Sequence, residues 1–270
     1  MSEQPDLGIS FTLQVAGIPI SIFCDDLQVI NILIHRYINF LVNVRCQFTV
    51  HLYLTNREGV PSLHLAQPII QPNNLKFLGQ NYQGEVNLMK ECAHLAISSQ
   101  QPAEEFEYFI RVIYSLIVFR AGGILLHAAG IVQKGKAYIF LGHSGSGKTT
   151  VARLSQDKII LSDDLVVLLP AGKRWIAHAT PFWNPGDDRR FDSHAPTAGL
   201  YFLNQAKKVY LEPLNRALAV AETVSNIPII SSDPEKIEEL LARCDSILTK
   251  VTYHRLNFLP DKSFWGVIDK

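Results

Sequence analysis

The stretch Gly142-His143-Ser144-Gly145-Ser146-Gly147-Lys148-Thr149 constrains this chain more than any other. It fits the spacing G-x-x-x-x-G-K-[ST] of a phosphate-binding loop. Glycines let backbone N–H groups approach an anion that side chains would otherwise exclude. Lys148 reaches the terminal phosphates, and Thr149 offers a hydroxyl to a magnesium ion. Thr150 follows in the first turn of the expected helix and completes the set of residues expected to hold the phosphates. His143 occupies a free position of the pattern and reads as an exposed loop residue. The context agrees with the motif: the apolar run 137–141 predicts a strand and residues 149–154 suit a helix, whose positive end would face the anion. A chain with this feature is expected to contain an α/β unit built around a strand, loop and helix.

A second element follows closely. Residues 158–168 read as an apolar run that enters Asp163-Asp164 and an apolar run that leaves it. Successive strand residues point to opposite faces, so two adjacent carboxylates at a strand end serve two targets. Phosphoryl transfer needs a carboxylate in the magnesium shell and a base near the attacking oxygen. A polar turn between two strands is the plainer alternative. Before the loop, residues 122–130 predict a strand entered through Gly122-Gly123, with His127 inside an apolar run. From spacing alone, His127 reads equally as a core histidine and as a site residue. Beyond the aspartates, residues 180–198 form a loop rich in Pro, Asp and Arg. Arg189 or Arg190 would suit a phosphoryl group, since guanidinium binds phosphate in a bidentate way, and a solvated loop with its own Asp–Arg pairs suits the composition as well.

His127-Ala128-Ala129-Gly130, then residues 142–149, then Ser162-Asp163-Asp164 together resemble the HPr kinase/phosphorylase family. The resemblance extends to its kinase-like relatives found with peptide-biosynthesis genes and, more distantly, to ATP-dependent phosphoenolpyruvate carboxykinase. It covers about the C-terminal half of the chain. It implies a mixed-sheet α/β kinase domain unlike the doubly wound nucleotide-binding folds. It implies ATP and Mg2+ held by the loop and Thr149, and a metal contact and acid/base group from Asp163 and Asp164. It also implies that His127 lines the phosphate site. The arginine- and glycine-rich segment that marks HPr kinases after the aspartates is not recognisable here. Ala179-Thr180-Pro181-Phe182-Trp183-Asn184 stands in that region and is similar to the Thr-Pro-Phe segment of the kinase-like relatives. Residues 1–100 do not resemble the regulatory domain of the HPr kinases.

Composition bounds the function. The chain has 270 residues, of which 47% are hydrophobic and 19% charged, enough for one large core or two modest ones. Lys plus Arg and Asp plus Glu both total 25, so nothing points to nucleic acid or to an anionic membrane surface. Cys24, Cys46, Cys92 and Cys244 form no C-x-x-C pair and read as buried thiols in a reducing compartment. The N-terminus lacks the features of a signal peptide, and a cytoplasmic protein is expected.

Two regions are expected: a small α+β unit at 1–100 that helps choose an acceptor or partner, and a kinase-like domain at 101–270 entered through a helix at 102–121. Phe106, Phe109, Ile110, Ile113, Leu116 and Ile117 share one face of that helix. Further elements are expected as a hairpin at 8–24, helices at 27–42, 212–225 and 233–247, and strands at 48–54, 199–203 and 251–258. The leading expectation is an ATP- and Mg2+-dependent kinase acting on a hydroxyl, a serine of a peptide or protein. A non-catalytic nucleotide-binding regulator and a small-metabolite kinase stay open, as does a homo-oligomer.

Overall fold

The computed structural model describes residues 9–55, 68–71, 74–79, 82–182 and 191–269. The chain divides into two compact units, Met1–Tyr114 and Ser115–Lys270. Each contains a mixed β-sheet, so the chain is mixed α/β. The division falls inside one long helix.

The first unit opens with β1 (Ile9–Val15) and β2 (Ile18–Cys24). Their alternation buries Leu13, Val15, Ile20 and Ile22 on one face. The connection is two residues, Ala16 and Gly17, both at positive φ, the turn whose twist matches an antiparallel pair. Asp26 accepts a hydrogen bond from Val29 N and starts α1 (Leu27–Tyr37). This helix is shorter than expected. After Tyr37 the chain tightens into a single 3₁₀ turn, and β3 (Leu41–Val42) pairs with β1. Then come β4 (Thr49–Leu54), β5 (Pro68–Ile70), β6 (Asn74–Gly79), β7 (Tyr82–Asn87) and β8 (Cys92–Ile97). The order is β3-β1-β2-β4-β8-β7-β6-β5, with β2, β4 and β8 parallel.

Helix α2 (Pro102–Arg120) follows. Within the first unit its Phe106 and Phe109 are fully buried, and Phe109 packs on Phe77 with ring centroids 5.3 Å apart. Glu105, in the first turn, is itself buried and accepts from the Ser98 hydroxyl at 2.6 Å. Within the second unit the helix ends as Gly122 N and Gly123 N return to Phe119 O and Val118 O. Arg243 stacks on the Phe119 ring and donates to Phe119 O at 2.6 Å and Gly123 O at 2.8 Å, which satisfies the carbonyls a helix end exposes.

The second unit runs β9 (Ile124–Gln133), β10 (Lys136–Leu141), α3 (Lys148–Leu154), β11 (Ile159–Ser162), β12 (Leu165–Ala171), β13 (Arg174–His178), β14 (His194–Gln205) and β15 (Tyr210–Pro213). It continues with α4 (Arg216–Ser225), α5 (Ile237–Leu248), β16 (Thr252–Phe258) and α6 (Trp265–Ile268). The helix expected from 212 begins later because residues 210–213 pair with β16 and Asn215 supplies the cap. The sheet order is β10-β9-β12-β13-β14-β16-β15, and β10 also pairs in parallel with β14. The pairings β10-β9-β12-β13-β14-β10 therefore close on themselves. Two long strands make this closure work. The first half of β9 pairs with β12 and its second half with β10 and β11. The start of β14 pairs with β13 and the rest with β10 and β16.

A core of Phe140, Val151, Tyr201, Leu256, Phe258, Phe264 and Trp265 lies among β10, β14, β16 and α3. Trp265 Nε1 donates to Ser155 Oγ at 3.0 Å, so the C-terminal turn is fastened to the end of α3. All four cysteines are free; Cys24 and Cys244 are buried as expected, whereas Cys46 and Cys92 are half-buried. Among the described residues no helix is long and apolar enough to cross a membrane.

Candidate functional site

Strand β10 ends at Leu141 and the chain turns through residues 142–147 into α3. Two glycines are fixed by space as well as by backbone. A Cβ on Gly142 would lie 2.5 Å from Ser146 Oγ, and one on Gly147, at φ 113°, would lie 2.5 Å from Phe258 Cζ. Within the loop, Ser146 N donates to His143 O at 3.1 Å. The Ser146 hydroxyl is buried with no hydrogen-bond partner among the described residues. His143 is exposed, its Nδ1 at 2.6 Å from Ser144 O. Thr149 and Thr150 face the same cleft as Ser144 and Gly145.

Lys148 is the most informative side chain of the loop. It is only 6% exposed, and its ammonium donates to Gly142 O at 2.7 Å and His143 O at 3.2 Å. Burial pulls its pKa down, while the charge of Asp164 pushes the other way. A desolvated ammonium held by backbone carbonyls gains from a nearby anion.

The carboxylates sit in the turn between β11 and β12. Asp163 is buried at 5% exposure. Asp164 Oδ1 lies 3.1 Å from His127 Nε2, and the His127 side chain is 43% exposed. His127 thus stands at the cleft rather than in the core. Its own N–H donates to Asn226 O at 2.7 Å.

One residue explains why loop and carboxylates lie side by side. Ala128 pairs with Leu141, the last strand residue before the loop. Its N–H also donates to Asp164 O at 2.9 Å. β9 therefore brings together two segments that are separate in sequence. The resulting cleft has a volume of about 340 Å³ and is lined by the loop, by Asp163 and Asp164, by His127 and by Gln205.

Gln205 belongs to no motif of the sequence. It ends β14, and its Nε2 donates to Gly145 O at 2.8 Å, which ties the loop to the neighbouring strand. Only the parallel pairing of β14 with β10 brings it there. Phe258, which fills the space under Gly147, is in the sequence only the last residue of the strand expected at 251–258. Arg189 and Arg190 lie outside the described residues.

The arrangement fits a polyphosphate. The glycine cradle admits an anion close to the backbone, Lys148 supplies charge, and the buried Ser146 hydroxyl has unused capacity. Among the described residues no three His, Cys, Asp or Glu side chains form a metal cage. Magnesium in phosphoryl-transfer sites uses one or two carboxylates, with water and phosphate oxygens completing its shell, so Thr149 with an aspartate of the same cleft suits it.

Comparison with known proteins places residues 103–270 in match with the family model described as SynChlorMet cassette protein ScmC. No curated protein matches. Among solved structures, the HPr(Ser) kinase/phosphatase from Coxiella burnetii is similar at 16% identity with a TM-score of 0.26, covering 34% of this chain and 64% of that one. The chain thus spans less than two thirds of that protein's length, and at that TM-score the likeness carries no conclusion about activity.

Proposed function

We propose that this chain, which belongs to the SynChlorMet cassette protein ScmC family, is an ATP- and Mg2+-dependent kinase that phosphorylates a serine hydroxyl of a peptide or protein. One observation carries the reading: a phosphate loop with a buried lysine and a pair of carboxylates line one cleft. Chemistry on a phosphoryl group needs those two together.

In this reading the loop N–H groups and Lys148 bind and orient the phosphates of ATP. Thr149 and Asp163 would hold the magnesium ion, which supplies charge neutralisation at the phosphates when bound. The 3.1 Å contact with His127 supports giving Asp164 the proton-handling role. A carboxylate oxygen of Asp164 takes the proton of the attacking hydroxyl, and His127 orients that carboxylate. Gln205 holds the loop in register through Gly145. The first unit has no chemical motif and is assigned the choice of acceptor.

Titration calorimetry of Mg-ATP tests the binding half. Lys148→Ala should weaken binding about tenfold to a hundredfold, the loss of a charge-assisted hydrogen bond, with unchanged circular dichroism. Equal affinity in the variant would remove Lys148, and with it the loop, from the site.

A further inference from the structure

The two aspartates are held from behind by a segment that does not contribute to the cleft lining. Ser162 Oγ donates to Phe182 O at 2.9 Å and accepts from Leu165 N at 3.1 Å. Thr180 Oγ1 donates to Leu165 O at 2.5 Å and accepts from Phe182 N at 3.3 Å. These four bonds form a closed circuit through Ser162, Phe182, Thr180 and Leu165. Asp163 and Asp164 are the two residues between Ser162 and Leu165, so the circuit grips their turn at both ends. A fifth bond, Asp164 N to Ser162 Oγ at 3.2 Å, fixes the middle. Each hydroxyl spends its one proton on a carbonyl and accepts from N–H groups, so the donor count is consistent.

The circuit is buried and anchored. Ser162, Thr180 and Phe182 are all 0% exposed. Ala179 N donates to Ser193 O at 2.8 Å, which ties the residue before Thr180 to the approach of β14. Buried hydroxyls that complete a hydrogen-bond circuit fix backbone geometry, because opening one bond strands a polar group away from water. A carboxylate pair serving a metal and a proton needs its geometry held to fractions of an ångström.

We propose that Thr180, directly through Leu165 and by way of Phe182 through Ser162, is the positioning residue of the Asp163 and Asp164 turn, so that residues 180–182 set the magnesium and proton-transfer geometry from behind that turn. This rests on the kinase reading of the cleft. The test pair is Thr180→Val, which keeps the shape and removes the hydroxyl, and Thr180→Ser, which keeps the hydroxyl. Nucleotide affinity without Mg2+, the Mg2+ concentration for half-maximal turnover, kcat, and amide exchange at Asp164 and Leu165 in the ligand-free protein are measured.

Thr180→Val is expected to leave Mg2+-free affinity within about twofold and to raise the Mg2+ requirement about five- to tenfold, the loss of one to two buried hydrogen bonds. kcat should fall by a similar factor and exchange at Asp164 and Leu165 should quicken, with Thr180→Ser restoring all of these. If Thr180→Val does not fold, Ser162→Ala takes its place with the same expectations. Unchanged Mg2+ dependence, equal loss of affinity with and without Mg2+, or failure of the Thr180→Ser rescue overturns the proposal. Those outcomes presuppose a wild-type protein that binds Mg-ATP. A wild type that does not bind it sinks the kinase reading and the proposal with it.

Discussion

Gly147 is where backbone and packing demands coincide. Its φ of 113° lies in a region L side chains rarely adopt, and the Phe258 ring fills the space a Cβ would take. Gly147→Ala therefore has to push the loop away from Phe258 or twist it out of its cradle. It is expected to cost about 1–3 kcal/mol of stability and to abolish measurable ATP binding, checked by urea titration and calorimetry. Normal ATP affinity in that variant would mean that the loop geometry is not needed. Lys148 sits one residue on and makes a complementary demand. Its ammonium is buried against two carbonyls, so its free energy improves when an anion arrives.

At the scale of elements, the β13 and β14 pairing carries a titratable feature. His178 and His194 are cross-strand partners with rings stacked 5.3 Å apart. Burial first, and the neighbouring imidazole second, push the pKa of His178 down to about 4. The unfolded chain takes up this proton as pH falls through about 6.5, while the folded chain resists until about 4. Folded stability from this site is therefore present above about pH 6.5 and lost progressively towards pH 4. His178 is partly exposed, so solvent screening reduces the effect to about 1–2 kcal/mol. Urea midpoints at pH 7 and pH 4.5 should show a smaller acid-dependent drop in His178→Gln than in the wild type. An identical drop would place the acid sensitivity elsewhere.

At the scale of the whole molecule, what could be read in the sequence was what is contiguous there. The residue types of the phosphate loop, the aspartate pair and the apolar residues of α2 are all local patterns, although α2 buries not one face but every residue of 112–119. Non-local pairing was not legible. Ala128 joins the loop to the carboxylates only because β9 is shared by β10, β11 and β12. Gln205 reaches Gly145 only because β14 runs parallel to β10. The same cause sets two element boundaries: residues 212–213 suit a helix until β16 claims them as a strand, and residues 41–42 until β1 does. The short α6 has no local signature, because its Trp265 belongs to a core assembled from distant segments.

If the Asp163 and Asp164 turn and the phosphate loop form one phosphoryl-transfer site, the chain moves label from ATP to an acceptor. The full chain is incubated with γ-labelled ATP, Mg2+ and the peptides and proteins of the native extract, beside Asp163→Asn and Asp164→Asn variants that are shown to be folded. The expected result is label on a serine acceptor with the wild type, lowered by about 10² or more in each variant, the scale of a lost catalytic acid/base or metal contact. Tight Mg-ATP binding by the wild type with no label transferred to any acceptor, or transfer that both variants sustain at the wild-type rate, would contradict it.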